Sequence, residues 1–198
     1  GWRHGRDAVP YGGIGVGLCS ERPPCRSLKS RSKPIGTSTM SQPLRTRKRL
    51  RLKDFDYSNP SHVYFLTLCA RHLSMPFEDP ALSEKVVESL AHIQSALKGK
   101  IYCYCLMPDH LHVAMSPCRA SIGVFQIIGQ FKSFTTRVAW EFGIEGKLWQ
   151  KSFYDHIARE DEDLISICRY ILANPVRKGL VTEPEHWKYS GMWDRLPI

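Results

Sequence analysis

Apolar and polar positions follow two different periods along this chain. Residues 63–69, Val-Tyr-Phe-Leu-Thr-Leu-Cys, are β-branched, aromatic or apolar nearly throughout, which predicts a first strand. Over residues 81–98, Leu82, Val86, Leu90, Ile93 and Leu97 recur at intervals of 4, 4, 3 and 4, the spacing of an amphipathic helix that Gly99 ends. Residues 101–107 and 110–115 read as two strands joined by a tight Pro108-Asp109 turn. Residues 121–142 predict a second long helix with Phe125, Ile128, Phe131, Val138 and Phe142 inward, and residues 148–157 a short strand or extended segment. A third helix starts among the four acids of residues 160–163, which suit its positive end. It stops near Ala173, because Asn174 precedes a proline and is steered away from the helical region. Strand, helix, strand, strand, helix, strand, helix is the order of a ferredoxin-like α+β sandwich, an antiparallel sheet with helices packed on one face.

Charge changes this picture at one end only. Residues 1–53 carry 13 Lys/Arg against 2 Asp/Glu, whereas the remaining 145 residues carry 15 against 17. The net charge of +9 therefore belongs to a basic arm, expected to be disordered because it is rich in Gly, Pro, Ser and Arg and lacks periodicity. Residues 54–198 are expected to form the working domain. Met40 reads as a start site, so residues 1–39 are expected not to be native. Within the arm, Arg45, Arg47, Lys48 and Arg49 can track phosphates or simply stay solvated. No apolar run approaches the ~18 residues of a membrane span, and the irregular spacing of seven cysteines argues against a disulfide framework. The expectation is a cytoplasmic protein.

Candidate chemistry sits at the start of the third strand. Successive strand side chains point to opposite faces, so His110, His112 and Ala114 share one face while Leu111, Val113 and Met115 share the other. Two imidazoles presented together can hold a divalent metal; they can equally be two wet histidines beside a turn. On the third helix, Leu164, Ile167 and Ile171 form the buried stripe, Tyr170 lies beside it, and Asn174 follows one turn later. A metal held by His110, His112 and the Asn174 carbonyl could polarise a phosphodiester for in-line attack by Tyr170. The plainer alternative makes Tyr170 an edge-of-core tyrosine and Asn174 a helix terminator.

Three segments carry a resemblance. Tyr104-Cys105-Leu106-Met107-Pro108-Asp109-His110-Leu111-His112-Val113 is the first, and Leu148-Trp149-Gln150-Lys151-Ser152-Phe153-Tyr154-Asp155-His156 the second. The third is Tyr170-Ile171-Leu172-Ala173-Asn174-Pro175-Val176-Arg177-Lys178-Gly179-Leu180-Val181, followed by Trp187-Lys188-Tyr189-Ser190. In this order they resemble the REP-associated tyrosine transposases, single-tyrosine members of the HUH (His-hydrophobic-His) endonuclease superfamily within the IS200-like transposases. The resemblance implies a metal-dependent single-stranded DNA endonuclease and strand transferase. Its substrate would be hairpins of repetitive extragenic palindromes, cut through a 5′-phosphotyrosine. It implies His110, His112 and Asn174 as ligands of Mg²⁺ or Mn²⁺, Tyr170 as nucleophile, and a bacterial, nucleoid-associated monomer or homodimer. Tyr154 stands as a second candidate nucleophile. Lys132, Arg137, His156, Arg159, Arg177 and Lys178 are candidate phosphate contacts. A hairpin-binding protein of the same fold without activity is the alternative, and a hydrolase of small phosphoesters a third reading.

Overall fold

Backbone hydrogen bonding organises the chain around β1 (Tyr64–Cys69) and β3 (His110–Pro117), which with β2 (Gly99–Met107) are the three inner strands of a five-stranded sheet; in order across it the strands are β4 (Tyr154–Ile157), β1, β3, β2 and β5 (Ser190–Met192). The computed structural model describes residues 55–96, 99–158 and 163–197. The expected basic arm, with Arg45, Arg47, Lys48 and Arg49, lies outside them, as does Arg159. The helices are α1 (Pro80–Ser95), α2 (Val124–Glu141), α3 (Leu164–Leu172) and α4 (Asn174–Arg177). All strand pairs are antiparallel. Strand β2 lies two places from β1, and β4 two places from β3, so α1 and α2 each cross over one intervening strand. These are the interleaved crossovers of the split βαβ pattern that the element order predicted.

The alternation read from the sequence sorts side chains into two layers. Tyr64, Leu66 and Leu68 of β1 and Leu111, Val113 and Met115 of β3 pack with Leu82, Val86, Leu90 and Ile93 of α1 and Ile127, Ile128 and Phe131 of α2. The opposite face carries Phe65, Ala114, Cys103, Cys105 and Met107, and against these pack Cys168 and Ile171 of α3. The α+β sandwich therefore stands, and the single helical face expected holds for α1 and α2. Helix α3 adds a partial second layer. It must, because the small and apolar side chains behind the histidine strand need cover of their own. Contact with the Cys168 thiol, together with burial, pushes the Cys103 thiol well up, so it serves as packing.

Several boundaries differ from expectation for local reasons. Gly99 opens β2 and does not cap α1. A Cβ there would stand 2.8 Å from Ile93 Cγ2 and 3.2 Å from Met115 Cε, so the helix can approach the strand this closely only over glycine. Gly99→Ala is expected to cost about 1–3 kcal/mol by overpacking, read as a lower urea midpoint at unchanged m-value. Helix α3 begins at Leu164, where the Asp163 carboxylate accepts from the Ile165 N–H at 2.9 Å. At its other end Asn174-Pro175 opens α4, since proline in a first helical turn lacks only an N–H that had no partner anyway. Strand β5 was not foreseen. It is too short to show a period, and it is positioned by the segment before it: Leu106 N–H donates to Tyr189 O, and Trp187 Nε1–H to Leu106 O, both at 2.9 Å.

Candidate functional site

The β2–β3 hairpin turns in two residues, pairing Met107 with His110, which puts His110 and His112 at the start of β3 on the face that α3 partly covers. Their Nε2 atoms stand 3.0 Å apart. The other nitrogen of each ring is held from behind. His110 Nδ1 lies 2.5 Å from Asp109 Oδ1, and His112 Nδ1 lies 2.9 Å from Thr67 Oγ1 on the neighbouring strand. Such partners fix the tautomer and aim of ligating imidazoles. Burial pushes His112 down to about 3, with the His110 ring and the Arg177 charge adding to the effect and Asp109 opposing it. The ring is therefore neutral and keeps a lone pair at neutral pH. The His110 hydrogen bond holds Asp109 below the usual carboxylate range, and the charge of Lys178 contributes.

These donors fit a divalent cation. Two ligands at ~2.1 Å and a right angle, as around an octahedral ion, are about 3.0 Å apart; tetrahedral zinc would hold them farther apart. Among the described residues no group of three His, Cys, Asp or Glu side chains is placed to hold a metal. Further ligands would have to be oxygens of amide, phosphate or water. Asn174 carries such an oxygen: its Nδ2 donates to Ile171 O at 2.9 Å and Tyr170 O at 3.3 Å, which caps α3 and leaves Oδ1 as the acceptor end.

Tyr170, 44% exposed, ends α3 under the guanidinium of Arg177, whose Cζ lies 4.0 Å from the ring centroid. The same Arg177 charge acts on His112. Tyr170 and Arg177 are therefore in contact, on elements that pack against the histidine face, and the Lys178 charge reaches Asp109. Lys132 and Arg137 are not part of this group. They project from α2, which packs on the opposite face; Lys132 Nζ donates to Gln150 O at 3.0 Å and Ser152 O at 3.2 Å, and Arg137 to Ser133 Oγ at 3.2 Å. His156 and Tyr154 lie on the histidine face, on the outer strand β4. In the same segment Trp149 and Gln150 are anchors: Trp149 Nε1–H donates to Thr135 Oγ1 at 2.8 Å and Gln150 N–H to Cys69 O at 2.9 Å.

Two members of this site were not anticipated. Asp109 stands in the sequence next to the first histidine, where Pro108-Asp109 signals only a turn. Thr67 had no signal, because its role depends on the register that places it opposite His112.

Residues 60–174 match the model of the family described as transposase, IS200-like. The chain is 30% identical over 96 residues to a Haemophilus influenzae protein named "Putative REP-associated tyrosine transposase", a match covering 43% of this chain and 54% of that protein. The chain thus spans about half the length of that curated relative. An uncharacterized protein of the same organism is 23% identical over 164 residues, covering 66% of this chain and 88% of its own. Among solved structures, a REP-associated tyrosine transposase bound to a REP hairpin superposes with a TM-score of 0.56 at 19% identity, over 71% of this chain and 82% of that one. At that identity the likeness is one of fold.

Proposed function

The chain belongs to the IS200-like transposase family, and from that premise we propose that it is a DNA transposase that nicks and rejoins single-stranded DNA at palindromic hairpins of the REP class. One observation carries the reading: the helix that ends in Tyr170, with the Arg177 guanidinium 4.0 Å from the Tyr170 ring, packs on the same face of the sheet that presents His110 and His112.

In this reading His110, His112 and the Asn174 carboxamide oxygen would hold Mg²⁺ or Mn²⁺. When bound, the ion supplies Lewis-acid polarisation of the scissile phosphodiester. Tyr170 attacks in line: its phenolic oxygen forms a bond to phosphorus as the bond from phosphorus to the 3′ oxygen breaks. The phenolic proton passes through solvent to the departing oxygen. The products are a 5′-phosphotyrosine and a free 3′-hydroxyl. A phosphodiester is exchanged for a phosphodiester, so a second 3′-hydroxyl can attack the linkage, restore Tyr170 and join new strands. Arg177 and Lys178 meet the phosphate charge. Asp109 and Thr67 hold the imidazoles in the required tautomer. Acting on chromosomal palindromes places the protein in the cytoplasm with the nucleoid.

The test is incubation of the protein with a hairpin carrying unpaired flanks, with Mg²⁺ or Mn²⁺, followed by a denaturing gel. A covalent protein–DNA band supports the reading. Binding without any adduct under either metal would instead identify a hairpin-binding protein, and turnover of small phosphoesters with no DNA affinity would overturn both. Asp109→Asn, which weakens the hold on His110, is expected to lower Mn²⁺ affinity about 10–100-fold, measured by calorimetric titration.

A further inference from the structure

The floor of the site continues onto β4. Residues paired directly across antiparallel strands share a face, and the register aligns Tyr154 with Thr67, and Thr67 with His112. The next rung aligns His156 with Phe65 and Ala114, with the His156 and Phe65 rings 6.3 Å apart. Two strand spacings put Tyr154 about 10 Å from the histidine position. Along β4 the alternation is clear: Asp155 accepts from Tyr57 Oη at 2.6 Å and Ile157 packs against the main core, whereas Tyr154 stays 55% exposed. Among the described residues, α3 packs over Cys103, Cys105, Ala114 and Phe65 on this face, while Tyr154 and His156 of β4 stay exposed.

We propose that Tyr154 is a stacking platform for an unpaired base flanking the phosphate held at the histidines, with His156 extending the platform along the strand. This rests on the DNA reading above and deepens it. A phosphate seated at the histidines has the exposed Tyr154 and His156 of β4 on the same face for its adjoining nucleotide to meet. The surface it meets there is an aromatic ring, which stacks any base with little regard to sequence. On this assignment Tyr154 is a positioning residue. It sets where the unpaired strand lies and takes no part in bond making.

The test uses the full chain in EDTA, so that binding is read without chemistry, and a hairpin carrying 2-aminopurine at each unpaired position in turn. One or two positions next to the cleaved phosphate should be quenched on binding. Tyr154→Ala should lose that quenching and bind the flanked hairpin about tenfold more weakly, while binding a hairpin without flanks as the unmodified protein does. Tyr154→Phe should restore both. Unchanged quenching and affinity in Tyr154→Ala, equal weakening toward flanked and unflanked hairpins, or failure of phenylalanine to restore binding would each overturn the platform. Failure of the unmodified protein to bind any hairpin would remove the DNA reading itself, and is a different result from all three.

Discussion

Tyr170→Phe should abolish the covalent protein–DNA adduct and reduce strand transfer on flanked hairpins on the order of 10⁴-fold or more, as loss of a nucleophile does. The expectation follows from placement. Tyr170 stands in the last turn of α3, the helix that packs on the histidine side of the sheet; it is half exposed, and its ring is the one Arg177 covers. The variant removes one oxygen and keeps the ring, so the cation–π contact and the fold survive and hairpin affinity should change little. The measurement is a denaturing gel of labelled DNA after incubation with Mn²⁺, with anisotropy binding in parallel. An adduct that survives Tyr170→Phe and disappears in Tyr154→Phe would move the nucleophile to β4.

Replacing either imidazole should be nearly as severe. On the proposed mechanism, His110→Gln and His112→Gln are expected to lose saturable Mn²⁺ binding and to slow adduct formation at least about 10³-fold, since each removes one nitrogen of the imidazole pair. Glutamine keeps much of the volume, which matters most for His112, half-buried on the sheet face and held by Thr67. Electron paramagnetic resonance of Mn²⁺ titrated into each variant reads the first effect, and the gel assay the second. Adduct formation by the unmodified protein in EDTA at its full rate would contradict the metal-dependent mechanism.

The two experiments probe different elements brought together by one packing choice. Helix α3 reaches the histidines only because it leaves the α1–α2 layer and packs on the other side of the sheet, Cys168 against Cys103 and Ile171 among the small side chains behind β3. A sandwich with every helix on one face would have put Tyr170 and the imidazoles on opposite sides of the sheet. The helical stripe through Leu164, Ile167 and Ile171 was readable, but a stripe states only that a face is buried, not against what.

What the sequence determined by itself is what local chemistry dictates. Period-two alternation put His110 and His112 on one face of a strand, the two-residue turn brought β2 and β3 together, and 3.6-residue spacing located α1 and α2. Even the order of elements implied the interleaved crossovers of the sheet. Short range also limited it: Gly99 looked like a helix terminator because its true constraint, Ile93 and Met115 pressing on its Cα, comes from packing. Tertiary structure alone decided strand register and helix face. Register brought Thr67 beside His112 and Tyr154 onto the same face; helix face put α3, with Tyr170 and the Arg177 that stacks on it, on the histidine side of the sheet. Both are set by which apolar surfaces are buried against each other, a pairing between segments 45 to 100 residues apart that no local pattern encodes.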